Sequence, residues 1–155
     1  MQGNKQVIDQ LNALLSEELA AIDQYFVHSR MYENWGYTKL FERADHESAD
    51  EKLHVTLLIQ RILFLEGTPA VNSRAKLAIG ENVVEMLQSD LALEIRVVNK
   101  LRKVIALCES VEDFGTRKML VQILVDSEED HTLWLEQQLG LINKLGLEHY
   151  LASKM

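Results

Sequence analysis

The sequence DEKLH, residues 50–54, places a glutamate three residues before a histidine, and SEEDH at residues 127–131 repeats this spacing in a distant part of the chain. Both segments lie within long stretches that have apolar residues at helical spacing. Residues three apart on an α-helix lie on one face, about one turn apart in height. Each glutamate and histidine can therefore point at one common ligand inside a helical bundle.

Apolar residues at helical spacing occur in four long stretches, which predict an all-α fold. The four stretches are residues 5–34, 39–65, 82–111 and 114–144. In the first stretch, for example, one apolar face carries Leu11, Leu15, Ile22 and Phe26. Glycine and proline are sparse, with seven and one in the whole chain, as expected for few and long helices.

The lengths of the connections predict how these helices are arranged. Only a few residues separate the first helix from the second and the third from the fourth, so each pair is expected to be antiparallel. Residues 66–81, between the second and third helices, lack a helical pattern and are long enough to run the length of a bundle. We therefore expect a single domain, residues 1–155, folded as a four-helix bundle with one long crossover from the second helix (B) to the third (C). A short C-terminal fifth helix is expected at LEHYLA, residues 147–152.

Composition and charge exclude several classes of partner. The formal net charge is −8 at pH 7 and the pI is near 5.1, so the protein would repel nucleic-acid phosphates and anionic membranes. No apolar stretch approaches the roughly 18 residues needed to cross a bilayer. The single cysteine, Cys108, cannot form an internal disulfide, and the N-terminal residues lack the apolar segment of a signal peptide. These features predict a soluble, cytoplasmic protein that binds cations.

Carboxylates interrupt the apolar face of every long helix, and histidines accompany two of them. The six residues are Glu18, Glu51, His54, Glu94, Glu128 and His131. Taken singly, a glutamate could reach water at an end of the bundle, and a histidine could be an ordinary core residue. Taken together, four buried carboxylates would cost several kcal/mol each unless cations neutralise them. Two divalent ions balance that charge, and ligands of this type without thiolate favour iron or manganese.

The chain resembles the bacterioferritins along essentially its whole length. The resemblance is carried by LNALLSEELAAIDQYFVHSRMYENWG, RILFLEGTP, DLALE and WLEQQLGLINKLGLEHYL, together with the Glu and Glu-x-x-His pattern of di-iron carboxylate bundles. It implies a non-haem di-iron centre that oxidises Fe(II) with O2 or H2O2 and deposits ferric mineral for iron storage and detoxification. By this resemblance the six residues are the ferroxidase ligands, with Glu51 and Glu128 bridging the irons.

The resemblance also implies an assembly and a haem site. The assembly is a hollow shell of about 24 subunits, either a homo-oligomer or a mixed shell with a related subunit. In haem-bearing members a methionine at the position of Lys52, supplied by two subunits, holds one haem iron. A protonated lysine offers no lone pair to iron. We therefore expect this chain alone not to bind haem b, and a Met-bearing bacterioferritin subunit to supply the haem site in a mixed shell.

Further residues match positions that have roles in the resembled family. Tyr25 matches a tyrosine that can supply an electron to the iron centre, although it could equally be a core residue. His46 and Asp50 match a pair that binds iron on the inner wall of the shell, and a solvated polar face is the alternative. Glu47 could be a relay ligand, but we expect it to be solvated.

Several other positions allow weaker interpretations. Asn34 and Glu66 match polar residues of a pore between subunits, whereas Leu133 replaces an acidic residue found there in some members. Trp134, one turn from His131, is either a core residue or close to the metal centre. His28 and His149 belong to no pattern and are expected to be structural or exposed.

Two other functional classes are compatible with parts of this pattern. An O2-activating or peroxide-reducing di-iron enzyme could use the same six ligands, but members with a rubredoxin-like module need paired cysteines, and this chain has only Cys108. A purely structural shell subunit would not need to keep all six ligands. A ferroxidase that stores iron is the function we expect.

Overall fold

The computed structural model describes residues 1–155 and is built from helices without strands. The helices are α1 (Lys5–Trp35), α2 (Thr38–Phe64), α3 (Val83–Ser110), α4 (Phe114–Asp126), a π-helix (Ser127–Thr132), α5 (Leu133–Leu145) and α6 (Leu147–Ala152). α4, the π-helix and α5 follow one another without a break and together make the fourth long helix of the bundle. The all-α fold with four long helices and a short C-terminal helix is confirmed.

Local sequence explains where α1 begins and ends. The Asn4 side chain accepts hydrogen bonds from the backbone N–H groups of Gln6 and Val7, which have no partner within the helix. Gly36 ends the helix with a φ of 81°, a left-handed conformation that a glycine adopts without strain. The short turn that follows allows α2 to fold back along α1.

The long crossover between α2 and α3 runs along α1, as the lack of a helical pattern predicted. The Asn12 side chain donates to Thr68 O at 3.1 Å and accepts from the Ala70 N–H at 2.7 Å. Farther along, the Gly80 N–H donates to Nε2 of His28 at 3.2 Å, and Nδ1 of His28 lies 2.9 Å from the Asp90 carboxylate. His28 is therefore a buried structural residue, whereas His149 is exposed.

The apolar core consists of two clusters. One contains Leu14, Val55 and Leu58 among its members, and the other is centred on Leu40, Leu87 and Leu135 near the opposite end of the bundle. Along α2 and along the fourth long helix, the buried polar residues lie where the chain passes from one cluster to the other. The bundle therefore has a polar layer within its core.

Two further features concern the surface. Phe26, which was expected on the apolar face of the first helix, is 52% exposed, so that expectation was wrong. Its neighbour Tyr25 is buried, because the two residues differ by about 100° around the helix axis. No helix in the structure combines the length and the apolar character that spanning a bilayer requires.

Candidate metal centre

Five of the six predicted residues meet inside the polar layer. They form two groups of three whose ligating atoms lie within 4.8 Å of one another, and the groups are Glu18, Glu51 and His54, and Glu51, Glu94 and His131. All five side chains are buried. Glu51 belongs to both groups, so α2 supplies the residue that connects the two halves of the centre.

The two oxygens of Glu51 face different histidines. Oε2 lies 3.2 Å from Nδ1 of His54, and Oε1 lies 3.0 Å from Nδ1 of His131. The imidazole rings of His54 and His131 stack with centroids 5.8 Å apart. A carboxylate whose two oxygens each contact the Nδ1 atom of a different histidine can bridge two cations.

The outer glutamates complete the two groups. Glu18 Oε2 lies 3.3 Å from Nδ1 of His54, and Glu94 Oε1 lies 3.1 Å from Nδ1 of His131. The remaining oxygens, Glu18 Oε1 and Glu94 Oε2, are buried and receive no hydrogen bond. Because a buried oxygen without a donor is unfavourable, these two atoms fit positions that would ligate cations.

Burial and mutual repulsion control the protonation of the cluster. Burial, together with the nearby charge of Glu51, raises the pKa of Glu18 well above its usual value, and burial also raises the pKa of Glu94. Burial acts on Glu51 in the same direction, but hydrogen bonds with Glu18 and the two histidines outweigh it, and the pKa of Glu51 is lowered. Because a carboxyl must be ionised to ligate a cation, the raised pKa values of Glu18 and Glu94 oppose cation binding at low pH.

The neighbouring carboxylates raise the pKa values of both histidines. Burial alone would lower the pKa of His54, but its contacts with Glu18 and Glu51 raise that pKa to about 11. The pKa of His131 is also raised, because contacts with Glu47, Glu51 and Glu94 outweigh its burial. The carboxylates therefore stabilise positive charge at this position, whether on the imidazole rings or on a bound cation.

Glu128 is the residue that the structure does not bring to the centre. Its side chain is 35% exposed, and its Oε1 accepts a hydrogen bond from Arg102 Nη2 at 2.6 Å. The structure therefore brings five of the six residues together, and the role of Glu128 as a ligand stays a prediction. Glu128 lies apart from the others because the π-helix at Ser127–Thr132 has more residues per turn than an α-helix, so that Glu128 and His131 no longer share one face.

Tyr25 lies directly beside the centre. Its hydroxyl donates to Glu94 Oε1 at 2.6 Å, and its ring packs edge-on against His131 with centroids 6.5 Å apart. Burial, followed by the charges of Glu94, Asp90 and Glu51, raises the pKa of Tyr25 well above its usual value. The phenol therefore stays protonated while it contacts the cluster.

Glu47 was expected to be solvated, and that expectation is wrong. Its carboxylate is buried, with Oε2 at 2.6 Å from Nε2 of His131 and Oε1 in contact with Arg43. The signal available in the sequence was its position one turn before Glu51 on the same face of α2. Arg43, four residues before Glu47, makes this position look like an ordinary solvated ion pair on a helix.

The polar residues on the opposite side of the histidines lead to the surface. His46 Nε2 lies 3.2 Å from Asp50 Oδ2, with His46 exposed and Asp50 partly buried. Asp126, which the sequence analysis did not identify, lies 3.4 Å from Nε2 of His54. A surface pocket of about 450 Å³ is lined by Asp50, Leu53, His54, Thr56, Leu57, Gln122, Asp126 and Asp130. An ion in solvent can therefore reach the edge of the centre through an acidic pocket.

The remaining predicted positions are away from the centre. Asn34 is exposed near the end of α1, and Glu66 is exposed just after α2, at the opposite end of the hairpin. Within one chain these two residues cannot line a common pore. Leu133 is 46% exposed, and Lys52 is also exposed. Trp134 packs its ring against the guanidinium of Arg43 at 4.8 Å and does not contact the carboxylate cluster directly.

Comparison with known proteins gives a family match and several similar full-length relatives. Residues 8–145 match the family described as the ferritin-like domain. The chain is 55% identical over 155 residues to a protein named bacterial ferritin from Pseudomonas aeruginosa, and the match covers the full length of both chains. A bacterial ferritin from Synechocystis is 52% identical, with 100% of this chain and 99% of the relative covered. A bacterioferritin from Mycolicibacterium paratuberculosis is 43% identical, with 99% and 96% covered.

Proposed function

The chain belongs to the ferritin-like family, and on that premise we propose that it stores iron and oxidises Fe(II) to Fe(III) at the centre around Glu51. The observation that carries this proposal is the sharing of Glu51 between two buried groups of carboxylate and imidazole ligands. A single carboxylate that faces two histidines can hold two ferrous ions side by side. The names of the relatives, bacterial ferritin and bacterioferritin, support iron as the metal.

The ligand set favours the oxidised product. Carboxylate oxygens are hard ligands that bind Fe(III) more tightly than Fe(II), so they lower the reduction potential of the bound iron. Two adjacent ferrous ions can give two electrons to one oxidant. With O2, two electrons and two protons yield H2O2, and with H2O2, two electrons and two protons yield two water molecules. The pair therefore avoids the one-electron reduction of either oxidant.

Glu128 is the sixth ligand in this proposal. Binding of a cation beside His131 would attract the Glu128 carboxylate away from Arg102. Both partners of that ion pair are well exposed, with 60% and 35% of their side chains accessible, so the pair contributes at most about 1 kcal/mol. A nearby divalent cation supplies a stronger attraction than this contact. The π-helix then provides the place where the backbone can adjust.

Mineral growth needs an assembly and additional binding groups. We propose a shell of about 24 subunits, as a homo-oligomer or mixed with a related subunit, in which ferric mineral grows inside. His46 and Asp50 lie at the acidic surface beside the metal centre and are proposed to bind iron on its way to the mineral. The net charge of −8 supports accumulation of cations by the assembly.

The direct test is the rate of Fe(II) oxidation after two ferrous ions per subunit are added to metal-free protein. Stopped-flow absorbance should show a rapid phase that ends at this stoichiometry. Glu51→Ala should slow the rapid phase by about 100-fold or more, since loss of an inner ligand exceeds the 10–100-fold effect of outer partners. Glu129→Ala, an exposed glutamate on the π-helix, serves as the control. Equal rates in the unmodified protein and Glu51→Ala would refute the proposal.

Lys52 concerns the ability of the chain to bind haem and not the oxidation of iron. Its side chain is exposed on α2, between Glu51 and His54 in the sequence but on a different face. We expect no stoichiometric low-spin haem spectrum when haem is added to the unmodified homo-oligomer, and such a spectrum after Lys52→Met supplies a thioether ligand. Absorbance spectroscopy measures both. One haem per two subunits in the unmodified protein would contradict this expectation.

A further inference from the structure

The two edges of the His131 ring have different surroundings. Nδ1 faces the centre, at 3.0 Å from Glu51 and 3.1 Å from Glu94. Nε2 faces outward and has Glu47 Oε2 at 2.6 Å, with Asp50 farther away at 3.6 Å. Glu47 is therefore the nearest acceptor for a proton on Nε2.

The Glu47 carboxylate is held in a fixed and shielded position. Only 2% of the residue is exposed, and Arg43 contacts its second oxygen from one turn earlier on α2. Arg43 is itself fixed by a 2.8 Å bond to Asp130 and by the Trp134 ring, 4.8 Å from its guanidinium. The Glu47 carboxylate thus contacts an arginine of α2 that also contacts two residues of the fourth long helix.

We propose that Glu47 is a positioning residue, which keeps the proton of His131 on Nε2 and so leaves the Nδ1 lone pair free for iron. This inference rests on the proposed function, because it assigns a role only if a metal ion binds at Nδ1. A neutral imidazole carries one proton, and an acceptor at one nitrogen determines which nitrogen holds it. The 2.6 Å contact between Glu47 Oε2 and His131 Nε2 does not meet the angular criteria of a hydrogen bond, so the proposal is carried by the proximity of the two atoms and by their burial.

His54 has no buried carboxylate beside its outward nitrogen, Nε2. The nearest outward acceptor for its Nε2 is Asp126, which lies 3.4 Å away and has 57% of its side chain exposed. A carboxylate that is largely solvated holds a proton in place less firmly than a buried one. The two histidines should therefore respond differently when their outward partners are removed.

Glu47 could instead be a ligand of a third ion, since Glu47, Asp50, Asp130 and His131 form a group with suitable spacing. The position of Arg43 opposes this interpretation. Its guanidinium contacts both Glu47 and Asp130, so the site already contains a positive charge that a divalent ion would have to displace. Positioning of His131 requires no such displacement.

The experiment is a Co(II) titration of metal-free protein, read from the visible d–d absorbance and from equilibrium dialysis. The unmodified protein should bind two ions per subunit. Glu47→Leu should weaken one of them by about 10–100-fold, the range found for outer partners of metal ligands. Glu47→Gln should retain most of the affinity, because its amide oxygen still accepts the Nε2 proton. Asp126→Leu, the matched change beside His54, should weaken the other ion by less than Glu47→Leu weakens its own, because Asp126 is farther from the ring and more exposed. Glu129→Leu, at an exposed glutamate, should leave both affinities unchanged.

The outcomes separate this inference from the proposed function. Fewer than two Co(II) ions in the unmodified protein would contradict the proposed centre itself. Two ions with the same affinities in Glu47→Leu would contradict only the positioning role. Three ions in the unmodified protein and two in both Glu47 variants would show that Glu47 is itself a ligand, and would also overturn the inference. Circular dichroism should confirm equal helix content in every variant, and Glu47→Gln supplies the test if Glu47→Leu does not fold.

Discussion

The two Glu-x-x-His segments have the same spacing but different structures. In DEKLH the backbone of α2 is α-helical, and Glu51 and His54 are both buried with 3.2 Å between the contacting atoms. In SEEDH the backbone is a π-helix, so His131 is buried while Glu128 extends to Arg102 at the surface. Spacing in the sequence thus predicts a shared face only where the helix keeps its α-helical geometry.

The difference divides the metal centre into a preformed half and an incomplete half. In the half beside His54, both carboxylates, Glu18 and Glu51, lie close to the imidazole ring. The half beside His131 shares Glu51 and has Glu94, but it lacks Glu128, and the outward nitrogen of His131 contacts Glu47. We expect the first ion to bind beside His54 and the second to complete the other half.

The largest effects should come from removing one carboxylate from each half. Glu18→Ala should abolish tight binding of the first ion, and Glu94→Ala should abolish tight binding of the second. Both should sharply slow oxidation, because two electrons require two irons. Anaerobic calorimetry with Fe(II) should show one tight ion in place of two in each variant. Unchanged oxidation rates in both variants would show that these residues are not ligands.

An intermediate effect is expected from the residues at the acidic surface. Replacing His46 and Asp50 together with alanine should preserve the first oxidation of two irons but reduce later mineral growth severalfold, because iron would lose a binding site beside the centre. Absorbance of the ferric core over successive iron additions measures this growth. The exposed Glu129→Ala is the control for loss of one surface charge. If loading far beyond two irons per subunit is unimpaired, the pair is only a solvated polar face.

The smallest effect should come from the ion pair that holds Glu128 outside. Arg102→Ala frees the carboxylate and should tighten binding of the second ion by up to about fivefold, since an exposed pair contributes at most about 1 kcal/mol. Arg96→Ala removes another arginine of α3, which contacts Glu17 of α1, and should leave that affinity unchanged. Calorimetry can resolve the two. If Glu128→Ala has no effect on binding or oxidation, Glu128 is not a ligand.

The dependence of metal affinity on pH tests the protonation of the two outer glutamates. The pKa values of Glu18 and Glu94 are raised, so both carboxyls hold protons at pH values where an exposed glutamate is ionised. Cations must displace these protons, and metal affinity should therefore fall as the pH is lowered. Calorimetry in buffers of different ionisation enthalpy measures how many protons are exchanged on cation binding. Net proton release is the predicted result. Proton uptake would contradict it.

Much of the fold could be predicted because it depends on local patterns. Apolar spacing located the four long helices, and the pattern-free residues 66–81 correspond to the crossover along α1. The convergence of Glu18, Glu51 and His54 followed from the regular geometry of α1 and α2. These features require only that helical residues keep their ordinary spacing.

The features that were missed depend on contacts between helices. A π-helix differs from an α-helix by one residue in its hydrogen bonding, and nothing in SEEDH distinguishes the two. Glu47 looks solvated in the sequence, because its burial depends on His131 and on the Trp134 ring that covers Arg43. Both come from a helix more than seventy residues farther along the chain, so local spacing could not reveal them.

The central claim is that Glu51 joins two iron sites, and the most direct measurement is anomalous diffraction at the iron edge from crystals loaded with Fe(II) without oxygen. Two peaks per subunit are predicted, one beside His54 Nδ1 and one beside His131 Nδ1, each with one oxygen of Glu51 as a ligand. A single peak, or iron bound only at His46 and Asp50 with Glu51 unliganded, would contradict the account.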